Sequence, residues 1–217
     1  MWEVVKLIPT KEEWYAALSE RHGEKIQKNF ESATVAICGL GGLGSHIAFV
    51  LARAGIGKLI LIDFDSVDVT NLHRQQYKAN QIGMSKTQAL KENLFEIAPY
   101  VAIETHKVRI SEDNAEELLE EADIICEAFD DAECKAMLVN LVVERMPEKY
   151  LVAASGMAGF GSANTIQTRR VSKQFYLCGD ETSDVQSEGS LVATRVMLCA
   201  AHQAHTVLRI LTEQFET

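Results

Sequence analysis

The chain has 217 residues, 47% hydrophobic and 24% charged, values that suit one or two globular domains and exclude a disordered chain. With 21 basic and 31 acidic residues its formal charge is −10, a field that repels phosphate backbones and anionic membranes and argues against general nucleic-acid binding. Cys38, Cys126, Cys134, Cys178 and Cys199 are odd in number and form no C-x-x-C pair, which speaks against a disulfide framework or a four-thiolate zinc site. The opening MWEVVKLIPTKEEW lacks the basic head and apolar run of a leader peptide. No stretch of ~20 residues stays apolar, so no membrane span is expected and the reducing cytoplasm is the expected compartment.

Thr10 with Glu13 is a capping-box signature, and the spacing predicts a helix from there to Phe30. Ala33–Cys38 is a short apolar run closed by glycines, a buried strand. The run after Gly44 reads as a helix that stops at Gly55, followed by a strand over Lys58–Asp63. A polar stretch then extends to about Gln81, long enough to suggest a functional loop. Ser85 with Gln88 predicts a second capping box and a helix ending before Pro99. Further along, strands are expected over Val101–Val108, Asp123–Cys126 and Tyr150–Ala154, with helices over Ser111–Glu121 and Asp131–Arg145. Two strand-like runs, Asn164–Thr168 and Gln174–Leu177, precede a polar loop over Cys178–Gly189. From Ser190 to about Gln214 the chain is helical and apolar on most faces, which points to burial on several sides or to an interface. Strands alternating with helices imply an α/β fold with a mostly parallel, doubly wound sheet.

Gly39-Leu-Gly41-Gly42-Leu-Gly44 fits G-x-G-x-x-G between a predicted strand and helix. Glycines there permit a tight turn, close approach of a phosphate and close helix packing, and the helix N-terminus offers amides to an anion. Asp63, at the end of the next strand, is placed to bind ribose hydroxyls. These features fit an adenine dinucleotide or ATP. A triphosphate needs cations nearby, and Arg74 and Lys86 are the candidates. Lys86 would sit in a helix first turn, where the dipole disfavours a cation unless an anion lies beside it. Asp130 and Asp131 follow the DIICEAF strand, where one can bind Mg²⁺ and either can cap the next helix.

The segment GLGGLGSHIAFVLARAGIGKLILIDFDSVDVTNLHRQ, the Gly83-Met-Ser-Lys86 element and Asp130 resemble the ThiF/MoeB/HesA family of ubiquitin-activating-like adenylyltransferases over most of residues 20–155. The short length and the CAAHQAHTVLRIL ending look most like the compact bacterial ThiF branch associated with thiamine biosynthesis. The resemblance implies a single domain over 1–217, with an N-terminal helix (10–31), a Rossmann-like nucleotide-binding core (33–155) and carrier-binding strands, loop and helix (160–217), part of that sheet antiparallel. It implies ATP-dependent adenylation of the C-terminal glycine carboxylate of a small ubiquitin-like sulfur carrier with a Gly-Gly tail. Carried over by position, Gly39, Gly41, Gly42 and Gly44 form the phosphate loop and Asp63 holds the ribose, with Asp65 beside it. Asn71, Arg74, Gln75 and Lys86 surround the phosphates, and Asp130 binds Mg²⁺. Arg21 matches a family arginine that reaches the ATP of a neighbouring subunit, implying a homodimer.

The chain departs from the family twice. It lacks the two C-x-x-C pairs that hold zinc in many members, so no zinc is expected. No cysteine lies in Ser183–Gly189, before the last helix, which leaves Cys178 as the one candidate for a sulfur-relay thiol, against the plainer reading of a buried bystander. Three other functions compete: an NAD(P)-dependent oxidoreductase, which leaves Arg74, Lys86 and Asp130 without roles; a non-catalytic carrier-binding scaffold; and a tRNA-modifying dehydratase, which the acidic charge disfavours.

Overall fold

A computed structural model describes residues 8–217; residues 1–7, half of the opening segment without leader character, lie outside the described residues. The Thr10 capping box forms as expected. The single N-terminal helix does not. Gly23, at φ 88°, divides it into α1 (Lys11–His22) and α2 (Glu24–Ser32), because the amide of Gly23 closes on Ser19 and ends the first helix.

Seven strands follow: β1 (Thr34–Cys38), β2 (Lys58–Ile62), β3 (Ala102–His106), β4 (Ile124–Glu127), β5 (Tyr150–Ala154), β6 (Gln167–Arg170) and β7 (Phe175–Gly179). They form one sheet in the order β3-β2-β1-β4-β5-β7-β6. All pairs are parallel except β6 with β7, which is the expected antiparallel portion. The β6 strand starts later than the apolar pattern suggests, because Ser162 caps a 3-10 turn over Ala163–Thr165.

Helices α3 (Gly42–Ala54), α4 (Lys86–Ile97) and α8 (Ala193–Leu211) cover one face of the sheet, with Ile47, Leu51, Leu90, Leu94 and Val207 in that core. On the other face, α5 (Ala115–Leu119) and α6 (Ala132–Arg145) bury Leu119, Leu138 and Leu141 against Ile60 and Ile125. The predicted helix over Ser111–Glu121 shortens to α5 because turns occupy its first residues. A further short helix, α7 (Val185–Glu188), lies in the polar loop before α8. None of the described helices is long and apolar enough to cross a membrane.

The chain winds from β1 through β2 to β3, then returns to β4 on the far side of β1. The crevice between the carboxyl ends of β1 and β4 is therefore the topological switch point, where ligands bind in open α/β sheets. The glycine loop leaves β1 there, and the Asp130 turn leaves β4 beside it.

Candidate nucleotide site

The glycines of the loop differ in what forces them. A Cβ on Gly44 would lie 1.9 Å from the Gly39 carbonyl oxygen, so α3 packs against β1 through a missing side chain. Gly39 has φ 91°, and a Cβ there would meet the Ala128 carbonyl oxygen at 2.8 Å, which brings the β4 turn directly against the loop. Gly42 backs onto Val196 of α8. Gly41 is different: a Cβ there would have only Gln75 Nε2 within 4 Å, at 3.7 Å. No packing demand explains its lack of a side chain. Its bare backbone leaves room for the close approach of a phosphate.

Asp63 is buried at the end of β2. Its Oδ2 accepts from the Leu40 amide at 2.7 Å and its Oδ1 from the Asp65 amide at 2.7 Å. The carboxylate thus ties the glycine loop to the following turn while keeping lone pairs for a ribose hydroxyl. Burial pushes the Asp63 carboxyl up; Lys86 and the two amides push it back down. Lys86, 6% exposed at the first position of α4, places Nζ 2.9 Å from Asp65 Oδ2 and 3.9 Å from Asp63 Oδ2. These carboxylates are the anion that a cation in a helix first turn requires. Ser85 caps α4 by accepting from the Gln88 amide, but the reciprocal half of the expected box is missing, since Gln88 donates to Glu92 instead.

The polar stretch after β2 folds over the N-terminus of α3. Asp68 and Asn71 cap a 3-10 turn reciprocally. Tyr77 donates its hydroxyl to the Leu40 carbonyl at 2.7 Å, and the Gln76 amide donates to Ser45 Oγ at 3.2 Å. His46 lies 3.2 Å from the Arg74 carbonyl through Nε2 and 2.9 Å from Gln76 Nε2 through Nδ1. The neutral ring with hydrogen on Nε2 satisfies both contacts, and burial lowers its pKa. These residues bring Arg74 against Gly42 and Gln75 against Gly41. Arg74 Nε and Gln75 Oε1 are buried without a hydrogen-bond partner among the described residues. A loop open at Gly41, with Gln75 beside it and Arg74 against the adjoining Gly42, has room for a polyphosphate.

Asp131 caps α6 through the Cys134 amide, and Asp130 stands exposed on the β4–α6 turn with no hydrogen bond or ion pair to a described residue. No three His, Cys, Asp or Glu side chains are grouped to hold a metal among the described residues. A lone carboxylate fits Mg²⁺ only in company with substrate phosphates, the usual manner for that ion.

Cys178 and Arg21 lie away from the glycine loop, and the burial of Cys178 agrees with the plainer reading of a bystander thiol. Cys178 is not in the polar loop but within β7, fully buried, between Thr168 and Thr206. Burial pushes its thiol up to about 11, so the reactive thiolate is scarce. Arg21 is exposed in the last turn of α1. Its neighbour Leu18 packs at Gly55, the C-terminal end of α3, which places Arg21 ~20 Å of helix away from its own glycine loop at roughly 1.5 Å per residue. Two groups escaped notice altogether. His46 pairs with a residue 30 positions away, for which the sequence gives no local signal. Glu127 is wholly buried at the end of β4 against Lys135, and an acid closing an apolar run was its only mark.

The ThiF family profile matches residues 15–217. An adenylyltransferase and sulfurtransferase UBA4 from Lodderomyces elongisporus is 29% identical over 192 residues, covering 86% of this chain and 42% of that protein. A ubiquitin-like modifier-activating enzyme 5 from Caenorhabditis elegans is 47% identical over 78 residues, 36% of this chain and 19% of that protein. The chain thus spans less than half the length of these curated relatives. In architecture it is similar to the E. coli tRNA N6-threonylcarbamoyladenosine dehydratase TcdA, solved in complex with ATP, with a TM-score of 0.84, 22% identity, and coverage of 96% of this chain and 98% of that one. A fold wound around the β1/β4 crevice and a profile that spans nearly every described residue agree: the chain belongs to the ThiF family.

Proposed function

We propose that the protein transfers AMP from ATP to the C-terminal glycine carboxylate of a small ubiquitin-like sulfur carrier, in the thiamine branch of the family. The observation that carries this reading is the switch-point cradle, where Gly41 lies open beside Gln75, Arg74 packs on the adjoining Gly42, and Asp130 makes no ion pair with a described residue on the neighbouring turn. In the reaction a carboxylate oxygen attacks the α-phosphorus, the bond to the bridging oxygen breaks, and pyrophosphate leaves. Both reactants are anions, so the cations must offset repulsion and the charge that develops on pyrophosphate.

Arg74 and the α3 amides bind phosphate oxygens, with Asn71 and Gln75 beside them. Asp63 orients the ribose. Lys86 exchanges its Asp65 contact for a phosphate oxygen when nucleotide is present. Mg²⁺, bound through Asp130 and phosphate, would supply further charge neutralisation. Cys178 has no part in this step.

The protein acts as a homodimer. Arg21 is too far from its own glycine loop and serves the partner's site, while the exposed Met197, Leu198 and Ala201 on the outer face of α8 offer apolar surface for association. A dehydratase acting on tRNA would share the adenylation chemistry and the fold seen in TcdA, but a net charge of −10 opposes a polyanionic substrate.

The test is ATP–pyrophosphate isotope exchange with a purified Gly-Gly-tailed carrier. Exchange that requires the intact tail supports the reading. Exchange supported by tRNA and not by a carrier replaces it.

A further inference from the structure

Three residues before Asp130, a carboxylate is buried where an apolar side chain would pack more cheaply. Glu127 ends β4 at 0% exposure. Its Oε1 accepts from the Phe129 amide at 2.7 Å, and Lys135 Nζ lies 2.8 Å from each oxygen. The Ala154 amide reaches Oε2 at 3.5 Å. Gln203, buried in α8, donates Nε2 to the Glu127 carbonyl at 2.9 Å and to the Val152 carbonyl at 3.1 Å, locking the ends of β4 and β5 together.

A buried ion pair of this kind is weak evidence for stability, since its desolvation offsets its attraction. It does fix geometry. The Glu127 carboxylate spans the turn from inside: one end holds the Phe129 amide, and the other holds the second turn of α6 through Lys135. Asp130 and the helix cap Asp131 lie between those two anchors. The ring of Phe129 in turn backs Gly39, with Cδ1 3.0 Å from where a Cβ would stand.

We infer that Glu127 and Lys135 are positioning residues, a buried strut that holds the Asp130 carboxylate at the phosphate cradle. This rests on the reading of Asp130 as the carboxylate that binds Mg²⁺ with ATP. Neither residue touches substrate; both act through the 128–131 turn.

Two measurements on the full chain test it: amide hydrogen exchange at Phe129, and calorimetric ATP affinity in MgCl₂ against EDTA. Lys135→Met and Glu127→Leu, the second removing the acceptor of the Phe129 amide, should each speed Phe129 exchange by about tenfold or more. Each should also shrink the Mg²⁺-dependent gain in ATP affinity by about threefold or more, with the affinity in EDTA unchanged. Lys135→Arg keeps the charge and should restore both. Should Lys135→Met fail to fold, Glu127→Leu against Lys135→Arg makes the same comparison. Normal Phe129 protection in Glu127→Leu, which removes the acceptor, overturns the inference, and so does faster exchange with an undiminished Mg²⁺ gain, which would leave the pair a local brace only. If the unaltered protein shows no Mg²⁺ gain, the Asp130 assignment itself fails, and the Phe129 exchange still reports whether the strut exists.

Discussion

Two carboxyl-end regions of the sheet, at β1/β4 and at β5/β7, are built by opposite means. At the β1/β4 edge, backbone does most of the work: amides of Leu40 and Asp65 hold Asp63, and a bare Gly41 faces the crevice. Polar side chains there are left with capacity to spare, as at Arg74 Nε, Gln75 Oε1 and Asp130. At the β5/β7 edge, side chains close on one another. Buried Arg195 pairs with buried Asp180 and donates to the Ser162 carbonyl at 2.7 Å. Asp180 Oδ1 accepts from the Thr182 and Ser183 amides at 2.9 and 2.8 Å. That knot joins the 155–165 and 180–192 segments to α8. The contrast lies in the charges: those of Arg195 and Asp180 are paired within the fold, although Arg195 Nε is also buried without a partner among the described residues, whereas Asp130 is exposed and makes no ion pair with a described residue.

Substitutions should separate the two edges. The largest effect falls on the glycine that serves packing rather than ligand. Gly44→Ala must displace the Gly39 carbonyl, 1.9 Å from the new Cβ, and should yield little folded protein in a soluble-expression assay. Gly41→Ala, with no protein atom closer than 3.7 Å, should fold normally and lose ATP affinity by about tenfold or more in calorimetry. Equal damage from both would erase the distinction between packing and binding glycines.

Next comes the knot. Asp180→Ala leaves the Arg195 charge buried and unpaired, at a cost of about 3–5 kcal/mol, or roughly 10 °C in melting temperature for a chain of this size. Asp130→Ala should do the reverse, lowering pyrophosphate exchange by at least about tenfold (~1.4 kcal/mol) with an unchanged melt, because the exposed side chain makes no hydrogen bond or ion pair with a described residue. A melt depressed by Asp130→Ala, or left intact by Asp180→Ala, would contradict the comparison.

The smallest effect is electrostatic. Burial lowers the His46 pKa, so below about pH 6.5 the unfolded chain binds a proton that the folded chain refuses. Stability should therefore fall as pH drops through that value and level off below the folded pKa, with a slope no steeper than about 1.4 kcal/mol per pH unit. Comparing melts at pH 7.5 and 5.5 for the unaltered protein and His46→Gln isolates the contribution. Equal losses in the two would assign the acid sensitivity elsewhere.

Legibility in the sequence follows contact distance. The glycine loop, Asp63 and the alternating elements were readable because each requirement falls within a few neighbours: a strand, a turn without side chains, a helix start. The Gly23 break was readable too, since Arg21 and His22 followed by glycine form a helix stop signal, but the Thr10 capping box drew the helix onward. Lys86 showed itself as a cation in the wrong turn, yet its partners Asp63 and Asp65 emerged only when β2 and α4 were brought together. His46 with Gln76, and Arg195 with Asp180, join residues far apart in the chain through contacts that no short pattern encodes. The placement of Cys178 turned on where β7 ends, a boundary that apolar patterning fixes only to within a few residues.

On the proposed function, the crevice at β1/β4 attaches AMP to a carrier's terminal carboxylate. Intact-mass spectrometry of a Gly-Gly-tailed carrier, incubated with the protein, ATP and Mg²⁺ and quenched in acid, reads that product directly. The proposed function predicts a carrier heavier by one AMP group, absent when the terminal glycine is deleted and strongly reduced with Asp130→Ala. An unmodified carrier that nevertheless binds the ATP-loaded protein would contradict it, and would leave a scaffold in place of an adenylyltransferase.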